Sequence, residues 1–257
     1  MTRKIAFDKL ENFRDFGGYS GNGRQMARGR FFRSASHADA TDNDLMRLAD
    51  MGFDAIVDLR RPVERNRAPS RRWSNFAAAV VENDDDYEGE VDWHSSFGAH
   101  AAAADDFRKH LLLFYSEAPR VPRHVDLFTR YFDKLAESKG AFLVHCAAGK
   151  DRTGMIVALT HTLAGVHEDD IFADYMLTND AERFSRMGPA WLSDFEKRHG
   201  RRPEEGSVEA LMGVHEDYLH AAFKTMRESH GDLLTYIRDG LGVDDAKRAK
   251  IEKRLFE

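Results

Sequence analysis

The chain has 257 residues, 38 basic against 44 acidic side chains for a formal charge of −6, and a single cysteine. That balance argues against a general nucleic-acid binder, and one cysteine excludes an internal disulfide and fits a reducing compartment. No apolar run reaches the roughly 18 residues of a membrane span, and the start Met1-Thr2-Arg3-Lys4 leads into no apolar signal core, so no stable membrane insertion and a cytoplasmic location are expected, with export lacking a cleaved signal left open.

Length suits one α/β domain over 1–257. In chain order, Phe13 to Phe32 reads as extended segments around the turn Ser20-Gly21-Asn22-Gly23. Thr41 or Asp42 caps a short helix through Ala49 that Gly52 ends. Ala55 to Leu59 is a buried strand, and Ala77 to Val81 a second. Residues 83–104 are acidic, then rich in Ala and His, and read as a mobile excursion. Helices follow near 105–117 and 122–137, the latter with Val125, Phe128, Phe132 and Leu135 at helical spacing. Leu143 to His145 returns as a central strand. From 152 the chain is nearly all helical, punctuated by Pro189 and Pro203 beside Gly188, Gly200 and Gly206. Strands alternating with helices predict a central, mainly parallel sheet flanked by helices, with extra C-terminal helices. That tail either packs against the core or covers the site.

The most informative segment is His145-Cys146-Ala147-Ala148-Gly149-Lys150-Asp151-Arg152-Thr153-Gly154. It follows a strand and opens a helix. A loop curling into a helix start points successive N–H groups inward, so those of Ala147, Ala148, Gly149, Lys150, Asp151 and Arg152 can cradle a tetrahedral oxyanion. Arg152 adds a planar fork for two phosphate oxygens. Cys146 lies at the floor, where a helix N-terminus and nearby cations favour the thiolate. His145 and the Thr153 hydroxyl are expected to hydrogen-bond the loop or the sulfur.

Thiolate attack on phosphorus would give a cysteinyl-phosphate that water then hydrolyses. The leaving oxygen needs a proton. Asp151 is the first candidate for that acid, Asp58 at the end of Asp54-Ala55-Ile56-Val57-Asp58 the second, and carboxylates between Glu82 and Asp92 the third. A nucleotide P-loop fails, because G-x-x-x-x-G-K-[ST] would need Gly at 144 and Ser or Thr at 151, where the chain has Val144 and Asp151.

The full H-C-x-x-G-K-x-R-T-G pattern resembles the signature loop of the protein tyrosine phosphatase superfamily. Its Lys-Asp pair resembles the atypical bacterial tyrosine and lipid phosphatases, a group with a secreted mycobacterial member. Asn12-Phe13-Arg14-Asp15-Phe16-Gly17-Gly18, Phe32-Arg33-Ser34, Asp58-Leu59-Arg60 and Asp174-Tyr175-Met176-Leu177-Thr178 resemble further motifs of that group. The resemblance implies a phosphotyrosine-phosphatase-like fold, Cys146 as nucleophile, Arg152 as phosphate ligand and Asp151 as general acid. No Trp-Pro-Asp tripeptide, the usual acid loop of the best-known tyrosine phosphatases, occurs in the chain. The implied partners are phosphotyrosine proteins or, alternatively, phosphoinositides, with phosphate as product and no cofactor.

Several other residues admit two readings. Lys150 is either a solvated cation or a second charge for polyanionic substrates. Arg14, Asp15 and Arg33 either brace the loop or hold local structure. Arg60 and Arg61 are modest candidates for substrate contact. His94, His100 and His110 lack metal-ligand spacing, and no metal is expected. Sulfur transfer or arsenate reduction fits less well, and a non-catalytic phosphate-binding module is opposed by intact Cys146, Asp151 and Arg152.

Overall fold

The computed structural model describes residues 3–85, 87 and 103–257, with the backbone alone at 198 and 199. The expected excursion at 83–104 therefore lies largely outside the described residues.

The strands in chain order are β1 (Arg14–Asp15), β2 (Ser20–Gly21), β3 (Arg24–Gln25), β4 (Phe31–Ser34), β5 (Phe53–Asp58), β6 (Ala79–Val81) and β7 (Ala141–His145). Five of them form one sheet in the order β1-β4-β7-β5-β6, with β1 antiparallel to β4 and the other pairs parallel. β2 and β3 close a hairpin at Asn22 and Gly23, both at positive φ, the conformation a tight two-residue turn requires. The catalytic-loop candidate thus leaves the C-terminal end of the middle strand.

Side chains alternate across the sheet with period two. Phe32, Ile56 and Leu143 face Leu45 and Leu48 of α1 (Asp42–Asp50) and the N-terminal Leu10 and Phe13. Phe31, Ala55, Val57, Phe142 and Val144 face the larger core. That core is built by α3 (Ala104–Glu117), α4 (Pro122–Glu137) and α5 (Asp151–Leu163). Helix covers both faces, so all five residues of β7 are buried. Thr41 caps α1 through a capping box with Asp44. Between β5 and β6 lies the short α2 (Pro62–Arg67), with proline in its first turn.

The chain continues through α6 (Glu168–Met176), α7 (Ala181–His199), α8 (Ser207–Met212), α9 (Glu216–His230) and α10 (Asp245–Phe256). The expected break at Gly188-Pro189 does not occur, because both lie inside α7, which ends at Gly200 in the left-handed conformation. A Cβ at residue 188 would come within 3.2 Å of Val208 Cγ1, so Gly188 lets α8 approach α7. Pro203 does fall between helices.

The tail divides in two. Tyr218, Leu219, Phe223 and Met226 of α9, with Ile251 and Leu255 of α10, join the main core. Phe195 of α7 and Ala210 of α8 instead form a small cluster with Phe107 of α3. No described helix is long and apolar enough to cross a membrane.

Candidate active site

The loop after β7 is shaped by what holds its carbonyls. The Cys146 carbonyl lies 3.3 Å from His145 Nδ1, and that of Ala147 accepts from Ser36 N at 2.9 Å. Asn12 Nδ2 donates to the carbonyls of Ala148 (3.2 Å) and Gly149 (2.8 Å). Arg33 Nη2 also donates to Gly149 O at 2.9 Å, and Lys150 O takes the N–H of Gly154 at 2.7 Å. Five successive carbonyls are therefore engaged, those of Ala147, Ala148 and Gly149 by groups from elsewhere in the chain. The N–H groups of residues 147–152 find no acceptor among the described residues. A peptide whose carbonyl is held on one side presents its N–H on the other, so the N–H groups of residues 147–151 form a nest, an arrangement able to receive an anion.

Gly149 is required for that path. Its φ is 64°, and a Cβ there would lie 2.3 Å from Ser34 O. The braces come from far along the chain. Arg14 binds Asn12 and donates to Asp174 O at 3.1 Å, while Arg33 Nη1 meets Asp174 Oδ2 at 3.0 Å. Arg33 thus reaches the loop directly, and Arg14 does so only through Asn12. Asp15 does not: its oxygens accept from Gly17 N (2.7 Å) and Gly29 N (2.8 Å).

Cys146, the first residue after β7, is free and 1% exposed. Arg152 stands in the first turn of α5, where Glu64 of α2 grips it at both ends, Nη1 to Oε2 at 2.6 Å and Nη2 to Oε1 at 2.8 Å. A further Nη1–H goes to Leu59 O at 3.1 Å. Burial works against its charge, but Glu64 outweighs it and raises the pKa above the ordinary range. Among the described residues three of five guanidinium protons are taken, leaving the edge formed by Nε–H and the second Nη2–H. Glu64 had no role in the sequence reading. Its signal was local, as the third residue of a capping box whose Oε2 also accepts Arg61 N at 2.8 Å.

Asp151 sits with 18% of its side chain exposed, and its Oδ1 accepts the Tyr115 hydroxyl at 2.9 Å. Lys150 is placed otherwise than a solvated cation. It is 5% exposed, and its ammonium donates to the carbonyls of Leu211 and, at 3.1 Å, Gly213. Burial lowers its pKa, and it stays within electrostatic reach of Asp151 and Cys146. Arg183 Nη1 takes the intervening Met212 carbonyl at 3.0 Å and Asn179 Nδ2 takes that of Val214 at 2.9 Å. Four consecutive carbonyls at the end of α8 are thereby fixed, two of them by the loop itself.

Asp58 ends β5 beside His145, bonded by Arg60 through Nε–Oδ1 at 2.9 Å and Nη2–Oδ2 at 2.7 Å. Burial opposes its charge, yet His145 and Arg60 outweigh it and hold the carboxyl near 2. Arg60 is further engaged by Ser36, Ala68 and Ser70, so it is an internal strut. Arg61 lies 3.6 Å from Glu64. His145 stacks on His37 at 4.6 Å, and burial lowers its pKa to about 4, so its ring is neutral at pH 7. The Thr153 hydroxyl is buried and, among the described residues, bonds neither the loop nor the sulfur.

Of the third-ranked carboxylates, Glu82 and Asp84 pair with Arg65 and Asp85 approaches Arg130 at 3.9 Å. Asp86, Glu88, Glu90 and Asp92 lie outside the described residues, as do His94 and His100. His110 is on α3. Among the described residues no group of three or more His, Cys, Asp or Glu is arranged to hold a metal ion.

Known proteins are similar to this chain over most of its length. A model of the Tyrosine phosphatase family matches residues 5–257. A Cupriavidus necator protein assigned as a tyrosine-protein phosphatase is 32% identical over 95% of this chain and 86% of its own. The triple specificity protein phosphatase PtpB of Mycobacterium tuberculosis is 27% identical over 91% of this chain and 92% of its own. A tyrosine-protein phosphatase of Nostoc commune is 25% identical over 88% of this chain and 74% of its own.

Proposed function

This chain belongs to the tyrosine phosphatase family, and from that premise we propose that it is a cysteine-dependent phosphomonoesterase of the atypical bacterial group, acting first on phosphotyrosine. The observation that carries the reading is the nest itself. The engaged carbonyls of residues 146–150 leave the five N–H groups of residues 147–151 without acceptors among the described residues, with that of Arg152 following at the helix start and two of the Arg152 guanidinium protons also untaken, which supports a phosphate seat next to Cys146.

A phosphate seated there is bound by the N–H groups of Ala147, Ala148, Gly149, Lys150, Asp151 and Arg152 and by the Arg152 fork. The Cys146 thiolate attacks phosphorus, and the bond to the leaving oxygen breaks with its electron pair on that oxygen. Asp151 supplies the proton. Water then attacks the cysteinyl-phosphate, Asp151 takes the water proton, and phosphate leaves as the sulfur recovers its electron pair. Negative charge grows on the transferring oxygens, and the preformed N–H groups meet it without reorganising.

Asp151 is the better acid because it borders the nest and is partly exposed. Asp58 is ionised, buried and doubly bonded to Arg60, which suits a structural charge. Breadth toward other phosphoesters is an extension from the triple-specificity relative, and phosphoinositides are the alternative substrates that the resemblance to the atypical bacterial group implies. Lys150 supplies positive potential to that end only as a tethered charge, since two carbonyls hold its ammonium.

The test is turnover of p-nitrophenyl phosphate and a phosphotyrosine peptide, with EDTA present, by the protein and by Cys146→Ser. Metal-independent phosphate release that disappears in the variant is expected. Release that survives in the variant contradicts the reading.

A further inference from the structure

A carboxyl acting as acid must carry its proton on the oxygen that faces the leaving group. The two oxygens of Asp151 are unlike. Oδ1 accepts the Tyr115 hydroxyl at 2.9 Å and has the Lys150 ammonium 3.6 Å away. Oδ2 has no hydrogen-bond partner among the described residues, on a side chain still 18% exposed. Behind Tyr115, the Tyr175 hydroxyl donates to the Tyr115 oxygen at 2.8 Å. Both rings are buried, and that of Tyr115 stacks on Tyr218 at 5.6 Å.

Each phenol owns one proton. That of Tyr175 goes to Tyr115, so that of Tyr115 goes to Asp151. Burial first, then the charge of Asp151, raises both tyrosine pKa values well above 10, and the phenols stay protonated at neutral pH. Gly154 belongs to the same arrangement. A Cβ there would meet the Tyr175 ring at 2.9 Å, so the glycine admits the second phenol against the loop's helix.

We propose that Tyr115 and Tyr175 form a positioning relay for Asp151, holding Oδ1 as a permanent acceptor and confining the transferable proton to Oδ2. The relay rests on the reading of Asp151 as general acid. It serves both chemical steps. When the leaving oxygen departs with its electron pair, it takes the Oδ2 proton and Asp151 becomes a carboxylate. When water attacks the cysteinyl-phosphate, its proton returns to Oδ2. Oδ1 accepts from Tyr115 throughout, so no hydrogen bond of the relay has to be remade.

Tyr115→Phe and Tyr175→Phe keep the packed rings and remove one hydroxyl each. The measurement is kcat/KM over a series of aryl phosphates, from activated nitrophenols to unactivated phenol, for these variants, Asp151→Asn and the double variant Tyr115→Phe/Asp151→Asn. Tyr115→Phe is expected to lose roughly tenfold on the poorest leaving group, the weight of one hydrogen bond to a charged group, and little on the most activated. Tyr175→Phe follows in the same direction by less. Tyr115→Phe adds no further loss in the Asp151→Asn background. A uniform loss across the series, or full additivity with Asp151→Asn, overturns the relay and leaves the acid in place. An Asp151→Asn variant with no leaving-group dependence overturns the acid assignment and the relay with it.

Discussion

Glu64→Gln isolates the contact that orients the phosphate fork. Glu64 Oε2 serves two donors, Arg61 N at 2.8 Å and Arg152 Nη1 at 2.6 Å, and an amide oxygen can serve both. The amide nitrogen then replaces Oε1 and faces Arg152 Nη2, which now sits 2.8 Å from an acceptor. One charge-assisted bond is lost, a donor opposes a donor, and the guanidinium loses its buried counter-charge. Glu64 and Arg152 side chains are only 4% and 8% exposed, so water cannot compensate in place. One hydrogen bond to a charged group is worth about 1.5–3 kcal/mol, and breaking a buried pair up to about 5. An amide that retains one bond should sit near 2–3 kcal/mol in unfolding free energy. If the same interaction orients the fork in the transition state, kcat/KM falls roughly 30- to 150-fold. Urea unfolding reads the first and p-nitrophenyl phosphate turnover the second. Wild-type values for both would refute the inference that Glu64 positions Arg152. A stability loss with unchanged kcat/KM would refute its catalytic half.

Three further outcomes follow from the same geometry. Gly149→Ala places a Cβ 2.3 Å from Ser34 O at a φ of 64°, so phosphate or vanadate binding, read by calorimetry, should be lost or the protein destabilised by roughly 2 kcal/mol or more. Lys150→Met removes the donor to Leu211 and Gly213, and amide exchange in residues 207–214 should quicken while that in β7 stays slow; equal protection would contradict the tether. Burial holds His145 near 4 against an ordinary 6.5, so the unfolded chain takes up this proton at higher pH than the folded one. The associated stability is present above about 6.5 and declines by about 3 kcal/mol as pH falls through 4, with buried His124, held near 3, adding in the same direction. Urea midpoints that stay flat between pH 7 and 4.5 would contradict it.

What the sequence revealed and what it hid divide along sequence separation. The strand ending at His145, the loop and the helix from Asp151 are contiguous, and their signals are local: an apolar run, small residues, a glycine and a helix start. The helix start at Thr41 or Asp42 and the stripe of Phe128, Phe132 and Leu135 were legible for the same reason, and the structure chooses Thr41 as the cap. Glu64 was not, because its partner is 88 positions away and its own surroundings explain it as a helix cap. Tyr115 and Tyr175 look like core aromatics on their helices, and only the tertiary fold turns their hydroxyls toward Asp151. Gly188-Pro189 carried a break signal that tertiary packing overrode, since α7 continues and uses the glycine to admit Val208. Lys150 was legible as part of the loop, but its partners Leu211 and Gly213 lie 61 and 63 positions on.

The central claim is that phosphorus passes through Cys146. The direct measurement is mass spectrometry of peptides from an acid-quenched reaction of Asp151→Asn with p-nitrophenyl phosphate, a variant in which the return of water is slowed while an activated leaving group still departs. The account predicts a phosphoryl group on the peptide that carries Cys146. Turnover with that cysteine unmodified, or with phosphate on another residue, would contradict it.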